Sequence, residues 1–321
     1  MNILITGGAG YVGSTLVKML TEEGHNVVSI DNLSCGDYRY LRRAVGRSNV
    51  RMLVGDISCL KSLEEAMEGE SLDAVVHAAA IAGLERCQKN PERAVLTNIY
   101  GTYNVLEAAR RFDVERVIFT SSAAVYGNPV KTPIREDHPL NPINLYGVTK
   151  LSSEMLLNVY HETYGLSTVI LRFGNVYGVG VYTYWETVIP KFVRQALNGE
   201  PLTIYGDGGQ SRDFIHVYDI VQAVKLALNA EDSVVRGEAF NVGTGKPTSV
   251  NAVANVISKT LLEETGKAPE IIHLPPRSGE PYTPNFCLSP KKIREKLRFE
   301  ASWGIEEGVR QLIKYSRRVV G

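Results

Sequence analysis

Residues 6–13 read Thr-Gly-Gly-Ala-Gly-Tyr-Val-Gly, directly after the apolar run Asn2–Thr6 and directly before Ser14–Glu23, whose apolar residues recur at helical spacing. A strand that passes into a helix through glycines at positions 7, 10 and 13 has few solutions. Gly7 permits a tight turn, Gly10 lets a pyrophosphate approach the backbone, and Gly13 lets helix and strand pack closely. The phosphates of a dinucleotide then lie at the helix N-terminus, where unpaired backbone N–H groups and the helix dipole favour an anion.

The runs Asn26–Ile30, Arg51–Val54, Ala74–Ala78, Arg116–Thr120 and Thr168–Arg172 repeat the strand pattern, with helix-period segments such as Leu60–Met67 and Asn98–Arg111 between them. Such alternation implies βαβ units, hence a Rossmann-type doubly wound parallel sheet of the α/β class, covered by helices on both faces. Beyond Gly174 the pattern becomes irregular, with helices expected at Val188–Leu197 and Val250–Thr265 and short strands at Leu202–Tyr205 and Ala239–Val242. The expected organisation is a dinucleotide-binding domain over 1–174 and a smaller mixed α/β substrate-binding lobe over 175–321, with segments near 213–242 returning to the first domain. The loop Leu274–Pro284, with four prolines, reads as a site wall.

Asp31 ends the second run, 18 residues past Gly13. A carboxylate there accepts hydrogen bonds from the adenosine ribose and repels a 2′-phosphate, which favours NAD over NADP. Asp56-Ile57 and Ala78-Ala79-Ala80 follow the third and fourth runs, at strand carboxyl ends where a doubly wound sheet binds its ligand. Asp56 can accept from the adenine amino group, and the alanines let the cofactor run beside the backbone. His77 precedes them; it is a base in principle, but a lone His at a strand end more often serves the fold.

At 44% hydrophobic and 22% charged, the 321 residues have the balance of an ordinary globular protein. Thirty-five basic residues offset thirty-five acidic ones, so no net field draws nucleic acid or an anionic membrane, and phosphate affinity must come from local groups. Cys35, Cys59, Cys87 and Cys287 are widely separated, which argues against a disulfide framework or a zinc site; no metal is expected. No apolar stretch approaches ~18 residues and no secretory segment precedes Gly7, so a soluble cytoplasmic protein is expected.

Tyr146-Gly147-Val148-Thr149-Lys150 sets a phenol and an ammonium four residues apart, on one face of a helix. A nearby Lys⁺ and an oxidised nicotinamide both favour phenolate, turning a group of pKa ~10 into a usable base. Thr120-Ser121-Ser122-Ala123-Ala124-Val125-Tyr126-Gly127 begins at the carboxyl end of the Arg116–Thr120 run. Together with the glycine turn, these motifs resemble the extended short-chain dehydrogenase/reductase family, in its NAD-dependent epimerase/dehydratase group, over nearly the whole chain. The resemblance implies a catalytic set of Ser122, Tyr146 and Lys150, with Ser121 the alternative to Ser122 and Tyr126 a packing residue. In it Tyr takes the proton of the sugar 4-hydroxyl, Ser hydrogen-bonds the same oxygen, and Lys holds the nicotinamide ribose. It also implies Tyr11, Val12, Asn32, Asn98 and Phe173 as cofactor contacts, and a homodimer built on the helices at Asn98–Arg111 and Leu145–Tyr164, with Leu156 a candidate interface residue.

Further segments resemble the family's nucleotide-sugar site. Phe173–Gly178 implies Asn175 beside the substrate diphosphate; Val188–Pro190 and Leu202–Gly208 imply Val188, Thr203 and Tyr205 around the nucleobase. Gln210–Asp219 implies Arg212 on the diphosphate, and Arg277-Ser278-Gly279-Glu280 implies Arg277 on phosphate and Glu280 on ribose. Two Arg forks on one diphosphate make chemical sense, since each donates charge-assisted bonds to phosphate oxygens. The chain departs from the family where Val179-Gly180-Val181 replaces Gly-Pro, where Glu280 replaces Asp, and at Leu288-Ser289-Pro290. In related dehydratases and decarboxylases an acid follows the catalytic hydroxyl; Ala123 and Ala124 stand there in this chain. Epimerisation at C4 of a UDP-sugar through a 4-keto sugar is therefore the expected reaction, with a dehydratase, decarboxylase or reductase as the alternative. A non-enzymatic dinucleotide-sensing module of this fold tends to lose the Tyr and Lys that are present here.

Overall fold

The computed structural model describes residues 1–45, 49–276 and 285–320, without the side chains of 318–320. Its strands are β1 (Asn2–Thr6), β2 (Asn26–Asp31), β3 (Val50–Val54), β4 (Ala74–His77), β5 (Arg116–Ser122), β6 (Ser167–Phe173), β7 (Asn175–Tyr177), β8 (Leu202–Tyr205), β9 (Ser211–His216), β10 (Glu238–Val242), β11 (Pro247–Ser249) and β12 (Ile271–Leu274). Seven of them form one sheet in the order β10-β6-β5-β4-β1-β2-β3, every pair parallel. This is the Rossmann-type doubly wound sheet.

Successive strand residues point to opposite faces, and both faces are buried, so the middles of the strands are mainly apolar on both sides. Ile3 and Ile5 of β1, Ile118 of β5, and Val169 and Leu171 of β6 enter one core, which is closed by Leu16, Val17 and Leu20 of helix Tyr11–Glu22 and by Ile220, Val221 and Val224 of helix Val217–Asn229. Leu4, Val117, Phe119 and Ile170 enter the other, beneath Leu63, Val105, Leu106 and Leu157. Helix Leu145–Tyr164, which contributes Leu157, is capped at its start by Asn144, whose Oδ1 accepts from Gly147 N at 2.9 Å.

A third core lies in the smaller lobe, where helices Val188–Leu197, Val250–Thr265 and Ile305–Val320 bury Ile189, Phe192, Val253, Ile257, Val309 and Leu312 against Leu202 and Ile204 of β8. Small sheets β11-β9-β7 and β12-β8 complete it. The chain leaves the large sheet after β6 and rejoins it as β10, beside β6.

Two features differ from expectation. The segment read as a helix from Asn98 begins as a π-helical turn, Leu96–Tyr100, and becomes α-helical at Gly101. Leu156, half-buried, packs against the second core, and the large apolar residues exposed on helix Leu145–Tyr164 are Val148, Met155, Val159 and Tyr164. No helix among the described residues is long and apolar enough to cross a membrane.

Candidate active site

Strand order reverses between β1 and β4, and a cavity of about 530 Å³ opens at the carboxyl ends of the strands there. Gly7, Gly10, Tyr11, Val12 and Gly13 form one end of it. The glycines differ in what they permit. Gly7 has φ +71°, and a Cβ on it would stand 2.6 Å from Ala79 N. A Cβ on Gly13 would lie 2.0 Å from Gly7 O, so both are demanded by packing. At Gly10 a Cβ would meet only Gly7 O, at 3.2 Å, and would otherwise project toward open space. The Tyr11 hydroxyl donates to Gly178 O at 2.7 Å, tying the turn to the loop after β7.

Asp31 lines the cavity at the end of β2, accepting from Ala9 N at 3.0 Å and Leu33 N at 2.7 Å. Burial raises its pKa, and the backbone donors oppose the shift. Asn32, Ile57, Ala78, Ala79, Ala80 and Phe173 also face the cavity. Asp56 and Asn98 are not among the lining residues. Asp56 accepts from Asn32 Nδ2 at 2.9 Å, from Ser58 Oγ at 2.7 Å and from Arg93, so its carboxylate is engaged. Asn98, buried in the π-helical turn, accepts from Ile81 N at 2.8 Å and donates to Ile81 O at 3.0 Å and Thr149 Oγ1 at 2.9 Å, which fixes the backbone of a lining residue.

Ser122, Tyr146 and Lys150 meet in the same cavity. Gly147 presses so closely on the turn after β5 that a Cβ there would stand 2.6 Å from Ala124 O. Ser122 Oγ accepts from Ala124 N at 3.2 Å and stands close enough to the Tyr146 phenol to lower its pKa. One turn later, Lys150 Nζ donates to Thr120 O at 2.8 Å and lies 4.5 Å from the centre of the Phe119 ring. Burial pushes the Tyr146 phenol up to about 12, against the lowering effect of Ser122. Burial lowers Lys150 to about 8, against the raising effect of Glu154. Where the lysine neighbour led to the expectation of a lowered Tyr146 pKa, the protein alone raises it, because the wall that shields the phenol disfavours its charged form.

Beneath this set lies a polar network. Ser121 Oγ donates to Glu154 Oε1 at 2.5 Å; Arg172 Nη2 donates to Glu154 Oε2 at 2.8 Å, and Nη1 to Tyr126 Oη at 2.8 Å; Tyr126 donates to Asn241 Oδ1 at 2.7 Å. His77 also has both ring nitrogens engaged, by Thr6 Oγ1 at 2.7 Å and Thr102 Oγ1 at 3.0 Å, and burial lowers it to about 3. It is a structural joint between β1, β4 and helix Gly101–Arg111.

On the other side, Asn175 and Arg212 line the cavity, and Arg212 Nη1 donates to Ser211 O at 2.8 Å. Val188 starts its helix, Thr203 accepts from Gln195 Nε2 at 3.0 Å, and the Tyr205 ring lies 6.0 Å from Lys191 Nζ; none of the three lines the cavity. Arg277 and Glu280 lie outside the described residues. Among the lining residues that carried no local sequence signal are Arg86 and Tyr184, whose guanidinium and ring stack at 4.7 Å.

Residues 3–243 match the NAD dependent epimerase/dehydratase family. The chain belongs to this family. A putative UDP-glucose 4-epimerase of Methanocaldococcus jannaschii is 35% identical over 317 residues, covering 98% of each chain. The structure of UDP-glucose 4-epimerase from Thermotoga maritima with UDP-glucose superposes with a TM-score of 0.90 at 35% identity over 100% of both chains. The family is chemically broad: DesIV, a dTDP-glucose 4,6-dehydratase of Streptomyces venezuelae solved with NAD, superposes with a TM-score of 0.89 at 28% identity, over 99% of this chain and 97% of that one.

Proposed function

We propose that the protein is an NAD-dependent 4-epimerase of UDP-hexoses, which interconverts C4 epimers through a transient 4-keto sugar. The observation that carries this reading is the pair Ala123 and Ala124: both line the cavity beside Ser122 and Tyr146, and neither has a carboxyl group to assist loss of a 6-hydroxyl or of a carboxylate. Oxidation and re-reduction at C4 is the chemistry that remains to Ser122, Tyr146 and Lys150.

The donor set fits the dinucleotide. No side chain caps helix Tyr11–Glu22, so its first N–H groups are available to a pyrophosphate, and the open space at Gly10 gives that anion room. Asp31 would hold the adenosine ribose, and Lys150 the nicotinamide ribose. When bound, NAD⁺ supplies positive charge beside the phenol and a hydride acceptor for C4. Tyr146 Oη takes the proton of the sugar 4-hydroxyl and returns it. Ser122 donates to the same oxygen and steadies the charge that builds there, while Lys150 favours the phenolate. Asn175 and Arg212 anchor the diphosphate, which leaves the sugar free to present either face.

The active assembly in this reading is a homodimer. Leu96, Tyr100 and Tyr103 are exposed at i, i+4, i+7 spacing, and Val148, Met155 and Val159 form a matching stripe on the neighbouring helix. Two such apolar stripes side by side are suited to a four-helix contact with a second copy.

The deciding experiment incubates the purified protein with UDP-glucose, UDP-N-acetylglucosamine and UDP-glucuronate and separates the products. C4 epimers from any of these support the reading. Formation of a 4-keto-6-deoxy sugar or release of CO₂ instead would overturn it.

A further inference from the structure

Arg86 lines the cavity half-buried, and no ion pair joins it to any described residue. Its guanidinium carbon stands 4.7 Å from the centre of the Tyr184 ring, which holds the charge in place without neutralising it. Glu186, the acid nearest to Tyr184 along the chain, is already paired with Arg194 at 3.2 Å. A half-buried guanidinium in a ligand cavity, with no ion pair among the described residues, suits an anion with planar pairs of oxygens.

The clasp has a definite position. The loop that carries Tyr184 is fastened along helix Tyr11–Glu22, just past the glycine turn: Val181 N donates to Thr15 Oγ1 at 3.2 Å, and Tyr182 N to Ser14 Oγ at 3.1 Å. The segment Ser34-Cys35-Gly36 also lines the cavity, and a Cβ on Gly36 would stand 2.4 Å from Ala9 O of the glycine turn. Arg86 therefore approaches the cavity from the glycine-turn side, whereas Arg212 enters it from β9 in the smaller lobe.

We propose that Arg86, carried on the Tyr184 ring, is a diphosphate-binding cation that closes over the pyrophosphate of the bound dinucleotide. The proposal rests on the reading of this cavity as an NAD site. The uncapped helix N-terminus would supply backbone N–H groups to the pyrophosphate, and Arg86 would add a guanidinium beside them. Arg86 thus becomes a retention device for a cofactor that must not leave between the two hydride transfers of one turnover. Both ligands of the cavity carry a diphosphate, so the test separates them.

The experiment loads wild type, Arg86→Gln, Arg86→Lys and Tyr184→Leu with NADH and follows loss of bound-NADH fluorescence after a chase with excess NAD⁺. UDP affinity is measured by calorimetry on the same preparations. Arg86→Gln should release NADH about tenfold or more faster, with Arg86→Lys and Tyr184→Leu intermediate and UDP affinity within about twofold of wild type. Unchanged NADH release with weakened UDP binding would assign Arg86 to the substrate diphosphate and overturn the proposal, as would no change in either ligand. Thermal melting of the cofactor-stripped variants guards against a folding defect, because Arg86 makes no buried hydrogen bond whose loss would explain a common decline. A wild-type protein that binds neither NAD⁺ nor NADH would instead defeat the reading of the site itself.

Discussion

Ser121 and Ser122 are consecutive on β5 and have different partners: Ser121 Oγ donates to the buried Glu154 carboxylate at 2.5 Å, whereas Ser122 Oγ accepts from Ala124 N at 3.2 Å and lowers the pKa of the Tyr146 phenol in the cavity. Strand geometry makes their substitutions separable. Ser121→Ala leaves a buried carboxylate short of a donor and should destabilise the protein by about 1–3 kcal/mol in urea unfolding, with turnover per folded molecule little changed. Ser122→Ala should lower turnover with little effect on stability.

Tyr146→Phe removes the oxygen proposed to exchange the substrate proton while the ring still packs. Turnover should fall by about 10²–10⁴-fold or more, a greater loss than for Ser122→Ala, with NAD and UDP-sugar binding nearly intact. Wild-type rates from Tyr146→Phe with the cofactor bound would disprove the assignment of the base.

Lys150 gives a pH signature of definite sign. Its pKa falls from 10.5 to about 8 on burial, so in the protein without ligands it is a cation below that value and neutral above it. kcat/KM should decline as pH rises through about 8, when the positive charge beside Tyr146 is lost. Stability runs the other way: between about 8 and 10.5 the unfolded chain binds the extra proton, so the cost of burying Lys150 is full below about 8 and is relieved as pH rises. Lys150→Met should accordingly stabilise the ligand-free protein at pH 7 in thermal unfolding while abolishing turnover.

Arg212→Ala should weaken UDP binding by about 2–5 kcal/mol and leave NAD binding close to wild type, since a diphosphate would lose charge-assisted hydrogen bonds. Calorimetry with each ligand separately checks this. Equal losses would indicate damage to the fold.

The apolar stripe Val148, Met155 and Val159 should be a contact between copies. Met155→Glu with Val159→Glu should give a monomeric mass by light scattering where wild type gives a dimer, with the circular dichroism unchanged. Leu156→Glu should behave differently and lower the melting temperature, because Leu156 packs against the core of its own chain.

What the sequence determined by itself was local in origin. Strand and helix periods predicted the doubly wound sheet, because a parallel sheet buried on both faces must be mainly apolar on both sides. The glycine turn was legible because Gly7 requires positive φ and Gly13 the absence of a Cβ, and a four-residue spacing placed Tyr146 and Lys150 one helical turn apart on helix Leu145–Tyr164. Strands β7, β9, β11 and β12 escaped notice: β7 and β11 have only three residues, too few for a period to register, and all four are completed by pairing with distant segments. Only the tertiary structure decided that Ser121 is tied to Glu154, that the His77 nitrogens are consumed by Thr6 and Thr102, that Asn98 braces Ile81, and that Arg86 stacks on Tyr184. Each of those depends on groups brought together from distant parts of the chain. The protonation of Tyr146 belongs with them: a sequence shows that a lysine is near, but how far burial opposes the charge is a property of the surrounding wall.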